Sequence, residues 1–276
     1  MTIMVLLLLL SCAHNNNLKA DNQLKDSDAD TEISESTFNP FQEVFSVKSE
    51  ITGITYPVHV YLPVGYDKSD IKYPVIYWTD GQWYFNGMIG IMKEFQIDAI
   101  VVSIEQGEND RRMVDYMHPG TEQYFEFFTK EYLPLIEGKY RVDKNNRTLC
   151  GVSAGGCFVS QALITDTNRP LLFKNYFIFD AALYLSYPNR EWIYYGNDGN
   201  YYTDHFDAMY AKDPELDINL VLTYSYPKGN EKLTKMFYDE IEKIGFKKLK
   251  LSMTGFEVSH ETIGGPSFKY ALKEVF

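Results

Sequence analysis

The chain of 276 residues carries 38 acidic and 26 basic side chains, a net charge of −12. An excess this acidic, with no block of Lys or Arg, has nothing with which to neutralise a phosphate backbone, and it excludes nucleic acid as a partner. At 45% hydrophobic and 16% aromatic the composition fills a sizeable core, which excludes wholesale disorder, and no apolar run reaches the roughly 18 to 20 residues of a membrane span.

Residues 1–12 read as a lipoprotein-like signal segment. The apolar run Met4 to Leu10 closes with Leu9-Leu10-Ser11-Cys12, ahead of the polar His14-Asn15-Asn16-Asn17. This resembles a bacterial lipoprotein signal, in which the cysteine, here Cys12, is lipidated and becomes the mature N-terminus. No Lys or Arg precedes the apolar run, and an ordinary secretory signal or an apolar tail are the alternatives. The expected location is the bacterial cell envelope, lipid-anchored or periplasmic, with membrane contact only through acyl chains. Residues 13–40 are rich in Asn, Asp, Ser, Glu, Lys and Thr, a composition that does not offset the entropy of ordering and reads as a flexible tether. Residues 41–276 form the folded domain.

Within that domain Val44 to Val47 and Thr55 to Leu62 alternate as strands and give an antiparallel entry to a sheet. Short apolar runs without a polar face follow at Val75 to Trp78, Ile100 to Ile104, Thr148 to Cys150, Tyr176 to Phe179, Leu220 to Tyr224 and Leu249 to Met253. Such runs suit strands covered on both sides. Helical stretches are expected at Thr121 to Ile136, Ala154 to Ile164, Glu231 to Ile244 and Ser267 to Val275. Strands alternating with helices predict an α/β fold, a three-layer sandwich around a mostly parallel central sheet. Residues 184–213, rich in Tyr, Asn, Asp and Gly, show no clear period and read as a long irregular insertion, either bordering a site or packing on the surface. Cys150 and Cys157 fall on a strand and on the helix after it, which predicts two buried free thiols rather than a disulfide.

Gly151-Val152-Ser153-Ala154-Gly155 matches the nucleophile elbow, and the strand before it and helix after it are the setting that motif needs. A serine hydroxyl is a poor nucleophile without a base, and only His205 and His260 follow Ser153 in the chain. His260 lies seven residues past the last strand and ahead of the final helix, where a loop returns to the elbow; His205 has no strand to project from. His59 sits within a strand and reads as structural, and His118 precedes Pro119 in a loop. The acid that orients the imidazole is expected to be Glu231, after the strand Leu220 to Tyr224. Asp180, at the end of the preceding strand, is the alternative acid, with Asp198, Asp204 or no acid at all also open. Oxyanion donors are expected from the backbone N–H of Ala154 and, after the turn at Asp80-Gly81, from that of Gln82.

Several blocks in order resemble a known family. Tyr73-Pro74-Val75-Ile76-Tyr77 leads to Asp80-Gly81-Gln82. Asn109-Asp110-Arg111-Arg112 follows, then Phe127 to Leu135 with Tyr140-Arg141-Val142-Asp143, the elbow Gly151 to Gly156, and His260. Together they are similar to esterases of the esterase D type within the α/β-hydrolase fold, which include enterochelin-esterase-like and feruloyl or acetyl-xylan esterase-like enzymes. The resemblance covers Phe41 to Phe276. It implies a serine hydrolase of carboxylic esters, with Ser153 as nucleophile, His260 as base and Gln82 and Ala154 as oxyanion donors, and it requires no metal or organic cofactor. Small-molecule or glycan esters are the substrates compatible with it: an acylated glycan, a siderophore-type ester and a small aliphatic ester all fit. The chain departs from the family at Asp180-Ala181-Ala182, where a Ser-Pro-Ser-like segment is usual, and in the short, tyrosine-containing loop Ser225 to Glu231. A non-catalytic cell-surface binding protein on the same fold, or an acyltransferase, are the rival readings.

Overall fold

A computed structural model describes residues 42–183 and 201–276. The expected signal segment with Cys12, the expected tether and Asp198 lie outside the described residues. Among the described residues eight strands form one sheet: β1 (Gln42–Lys48), β2 (Thr55–Tyr61), β3 (Tyr73–Trp78), β4 (Ile100–Ile104), β5 (Val142–Val152), β6 (Asn175–Phe179), β7 (Asn219–Ser225) and β8 (Lys250–Phe256). Their spatial order is β1-β2-β4-β3-β5-β6-β7-β8. β1 and β2 pair antiparallel, as do β2 and β4, and every later pairing is parallel. All five residues of β4 and of β6 are buried, which is why those runs show no polar face in the sequence.

Among the described residues eight α-helical segments accompany the strands: α1 (Gly81–Phe95), α2 (Arg112–Tyr116), α3 (Gly120–Phe127), α4 (Leu133–Lys139), α5 (Ala154–Thr165), α6 (Tyr201–Lys212), α7 (Glu231–Ile244) and α8 (Gly264–Val275). Successive side chains of β3 point to opposite faces. Val75 and Tyr77 join one apolar cluster with Tyr124, Phe127, Phe158, Phe206 and Phe237, whereas Ile76 and Trp78 join another with Phe85, Met88, Phe268 and Leu272. Thus α1 and α8 cover one face of the sheet and α3, α5, α6 and α7 the other, the three-layer α/β sandwich expected from the sequence. Cys150 and Cys157 belong to opposite clusters, and both are buried free thiols.

Three local expectations need correction. The stretch Thr121 to Ile136 is helical but not uniform: α3 and α4 are joined by a π-helical turn at Phe128–Tyr132, where the Leu133 N–H reaches back to the Phe128 carbonyl and Pro134 brings no N–H of its own. α1 is a full helix where only a turn was expected. Its buried Phe85, Met88, Ile89 and Met92 keep helical spacing among interrupting glycines. Finally, the last part of the segment 184–213 is α6, which buries Tyr202, Phe206 and Met209 on one face.

Because β3, β5, β6, β7 and β8 run parallel, their carboxyl ends share one edge. The register aligns Trp78 with Cys150, Val152 with Phe179, Phe179 with Thr223, and Ser225 with Phe256. The residues that follow, Asp80, Ser153, Asp180 and the loops after Ser225 and Phe256, therefore gather at that edge, where open α/β sheets place their sites.

Candidate active site

Ser153 stands between β5 and α5 with φ 59° and ψ −118°, a backbone conformation that costs a non-glycine residue about 1–3 kcal/mol and persists only when its surroundings hold it. They do so from both sides. The Ser153 N–H donates to the Phe179 carbonyl at 3.0 Å, and its carbonyl accepts from Cys157 N–H at 3.0 Å and Ala182 N–H at 3.2 Å. The turn is closed enough to demand glycines: a Cβ on Gly151 would collide with the backbone of Gly155, and one on Gly156 would stand 2.8 Å from the Ala181 Cβ. Ala154 is the first residue of α5, so its N–H belongs to the turn whose donors have no intrahelical acceptor.

Asp180 follows β6 directly, is wholly buried, and has φ 42°. Its Oδ2 lies 2.6 Å from His260 Nδ1. The loop after β7 wraps the same carboxylate. Oδ1 accepts from Ser225 N–H at 3.1 Å and Asn230 N–H at 2.7 Å, Oδ2 also accepts from the Ser225 hydroxyl, and the Asn230 side-chain amide donates to the Asp180 carbonyl at 2.7 Å. Gly229 permits this approach, since a Cβ there would stand 2.8 Å from Asp180 Oδ2 and collide with Ser225. Burial works to raise the Asp180 carboxyl, but bonds from His260, the Ser225 hydroxyl, and the N–H groups of Asn230 and Ser225 outweigh it and hold it below the ordinary Asp value. His260 moves the opposite way: the Asp180 bond raises its pKa above the ordinary value, with burial and the Arg112 charge opposing. With Nδ1 committed to Asp180, Nε2 is left as the proton acceptor.

The turn after β3 supplies a second set of donors. Asp80 adopts φ 59°, and α1 begins at Gly81, where a Cβ would stand 2.7 Å from Ser103 Oγ. Gln82 is the second residue of α1, so its N–H is also among the donors a helix leaves open. Its side-chain Oε1 accepts from Gln106 N–H at 3.2 Å. Asp80, Ser153 and Asp180, ending three neighbouring strands, are thus all non-glycine residues at positive φ, the clustering of strain that marks functional sites.

Residues 49–235 match the family described as "Putative esterase". The chain belongs to that esterase family. Among curated proteins it is similar to the ferri-bacillibactin esterase BesA of Bacillus subtilis (strain 168), at 32% identity over 105 residues. That match covers 38% of this chain and spans only about a third of the relative's own length (32%). Among solved structures, an IroE-like serine hydrolase from Shewanella oneidensis aligns with a TM-score of 0.68 at 21% identity, covering 84% of this chain and 79% of that one. The siderophore hydrolase EstA from Aspergillus nidulans aligns with a TM-score of 0.67 at 17% identity, covering 87% and 98%. At these identities the structural likenesses show a shared fold.

In this esterase-family chain the other residues singled out by sequence fall away from the constellation. Glu231, the carboxylate ranked first, opens α7 with its side chain 42% exposed and pairs with Lys235 one turn on at 2.6 Å. The correction has a simple cause. Glu231 turns to the exposed side of α7 toward Lys235, whereas Asp180 leaves a central strand beside the elbow. Asp204 is exposed on α6, and His205 Nδ1 lies 2.7 Å from the Tyr201 carbonyl of its own helix. His59 Nε2 lies 2.5 Å from Glu105 Oε1, and the His118 ring packs 6.4 Å from that of Tyr201. Sequence reasoning missed Ser225 and Asn230 as donors to Asp180, because their backbone N–H groups leave no residue-type signature and their side chains reach Asp180 only once β6 and β7 are paired. Beside His260 an open groove of about 560 Å³ is lined by Tyr226, Pro227, Lys228, Glu257 and Glu261, among others.

Proposed function

We propose that this chain is a serine hydrolase of carboxylic esters that works through an acyl-enzyme, with Ser153 as nucleophile, His260 as general base and Asp180 as the orienting acid. The observation that carries the reading is the Asp180–His260 bond at the same sheet edge as the strained Ser153 turn. Family membership supports the reaction class. His260 Nε2 takes the Ser153 hydroxyl proton as Oγ attacks the ester carbonyl, and Asp180 stabilises the imidazolium that forms. The oxyanion of the tetrahedral adduct accepts from the N–H groups of Ala154 and Gln82. The imidazolium then gives its proton to the departing alkoxide, leaving the acyl group on Ser153. Water, deprotonated by the same histidine, attacks that ester and releases the acid and the free serine.

The substrate class we favour is a small-molecule ester of the siderophore type. Two features support it: the activities carried in the names of the relatives, and the open groove of about 560 Å³ at His260, walled by Tyr226, Pro227 and Val258 with Lys228, Glu257 and Glu261, which suits a substrate larger than a simple aliphatic ester. The cell envelope, with Cys12 as lipid-bearing residue, is the location we propose from the N-terminal segment alone. The test of the reaction is hydrolysis of para-nitrophenyl acetate and butyrate by the wild type and by folded Ser153→Ala and His260→Ala variants. Loss of turnover in both variants is expected. A folded wild type no faster than Ser153→Ala would overturn the reading.

A further inference from the structure

The two oxyanion donors named above come from different parts of the chain, and one guanidinium joins them. Arg112 lies in α2, on a loop with no side chain in the triad. Its Nε donates to Asp80 Oδ1 at 2.7 Å and its Nη2 to Asp80 Oδ2 at 2.8 Å, a two-pronged contact with a carboxylate that is itself wholly buried. The same Nη2 lies 3.4 Å from the carbonyl of Val152, the residue before Ser153. On one side, therefore, Arg112 holds the left-handed residue that launches Gly81 and Gln82; on the other it touches the strand end that launches Ser153 and Ala154. The two turns also meet directly, since a Cβ on Gly155 would collide with Thr79 and stand 3.1 Å from Asp80 Oδ2.

Arg112 is in turn fixed by its surroundings. Its guanidinium carbon lies 5.1 Å from the ring centre of Trp83 and 6.0 Å from that of Tyr116, and its side chain is 16% exposed. The neighbouring Arg111 anchors the loop separately. Its Nη2 donates to Asp115 Oδ1 at 2.9 Å, and the buried Tyr56 hydroxyl donates to Asp115 Oδ2 at 3.0 Å. A planar fork suits this task because it bonds both carboxylate oxygens at once and fixes the plane between them; an ammonium group offers a point charge with no such constraint.

We infer that Arg112 is a positioning residue for oxyanion stabilisation: by clamping Asp80 and touching the Val152 carbonyl, it sets the separation between the Gln82 and Ala154 N–H groups. The inference rests on the proposed acyl-transfer reading and adds to it the residue that fixes the spacing of its donors. Donors placed for the tetrahedral oxyanion act on the transition state more than on the bound ester, so loosening the clamp lowers kcat with little change in KM.

The test compares Arg112→Lys, which keeps the positive charge near His260, with Asp80→Asn, which keeps the shape of the carboxylate but loses its charge. The probes are para-nitrophenyl butyrate and a trifluoromethyl ketone that forms an oxyanion adduct with the serine. Loss of a single oxyanion donor typically costs about 10²–10³ in kcat, so displaced donors should cost about 10–100-fold in each variant, with KM within about threefold of wild type. The ketone should weaken by the same factor as kcat/KM, and the acid midpoint of the pH profile in Arg112→Lys should stay where wild type has it, which a general loss of structure would not produce. If Arg112→Lys does not fold, the Asp80→Asn comparison decides alone. Unchanged kcat in a folded variant, or a rise in KM at constant kcat, would overturn the inference while leaving the esterase reading intact. A folded wild type without turnover would overturn both.

Discussion

Replacing Asp180 by Asn separates the acid's electrical role from its shape. The amide oxygen can still accept from Ser225 N–H and Asn230 N–H, now bonded to Oδ1 at 3.1 and 2.7 Å. The NH2 group then faces the Ser225 hydroxyl, which can rotate to accept, and His260 Nδ1, which lies 2.6 Å from Oδ2. A donor at that position fixes the opposite imidazole tautomer, with the proton on Nε2, where it cannot receive one from Ser153. The expected fall in kcat is about 10³–10⁴, or roughly 4–5.5 kcal/mol of transition-state stabilisation. Structure suffers less: losing one charge-assisted bond costs about 1.5–3 kcal/mol, which for a domain of this size lowers Tm by roughly 4–10 °C. The matched control is Glu231→Gln. It removes an exposed i,i+4 pair with Lys235, worth about 0.3–0.5 kcal/mol, and should leave the rate within about twofold of wild type. Hydrolysis of para-nitrophenyl butyrate by both variants, with circular dichroism to establish folding, reads the result. An Asp180→Asn enzyme within tenfold of wild type, or a hundredfold loss in Glu231→Gln, would refute the argument.

The pH profile carries a signed expectation. The proposed mechanism needs neutral His260, and the Asp180 bond raises its pKa above the ordinary 6.5, so kcat/KM should fall on the acid side through a midpoint above 6.5; Asp180→Asn should move that midpoint down. The same pair bears on stability. The His260 contribution is present below about 6.5 and fades as pH rises through its folded value, whereas that of Asp180 is present above about 3.8 and is lost as pH falls through its lowered one. Denaturation followed between those limits should therefore show the largest difference between wild type and His260→Ala. Away from the site, Glu137 is 4% exposed and bonds Arg147, itself 13% exposed, through both oxygens at 2.6 and 2.9 Å. Glu137→Ala strands that guanidinium and should cost about 3 kcal/mol, with a fall in Tm on the order of 10 °C and unchanged turnover per folded molecule.

The strands were legible because burial on both faces writes itself as short apolar runs, and the elbow because its glycines are required by contacts within one turn. Ser153 and His260 could be picked out for the same reason: each follows a recognisable strand. For the acid, chain order points to a carboxylate after β7, whereas the 2.6 Å contact with His260 belongs to Asp180, which ends β6 beside the elbow. The short loop expected to carry the acid instead surrounds Asp180 with Ser225, Gly229 and Asn230, and that arrangement exists only once β6 and β7 are paired. α1 and α6 escaped notice because glycines or clustered tyrosines and aspartates hid sound helical faces, Phe85 to Met92 in one and Tyr202 to Met209 in the other. The positive φ of Ser153 goes with the elbow motif, whereas those of Asp80 and Asp180 are held by Arg112 and by the loop after β7, distant contacts that residue type does not record.

The central claim is that Ser153 is a nucleophile activated by His260 and Asp180. A fluorophosphonate probe, followed by intact mass and peptide mapping, tests it without knowledge of the natural ester. The account predicts one adduct per folded wild-type chain, mapped to Ser153, absent in Ser153→Ala and slow to form in His260→Ala. A folded wild type that stays unlabelled, or that carries its adduct on another residue, would contradict it.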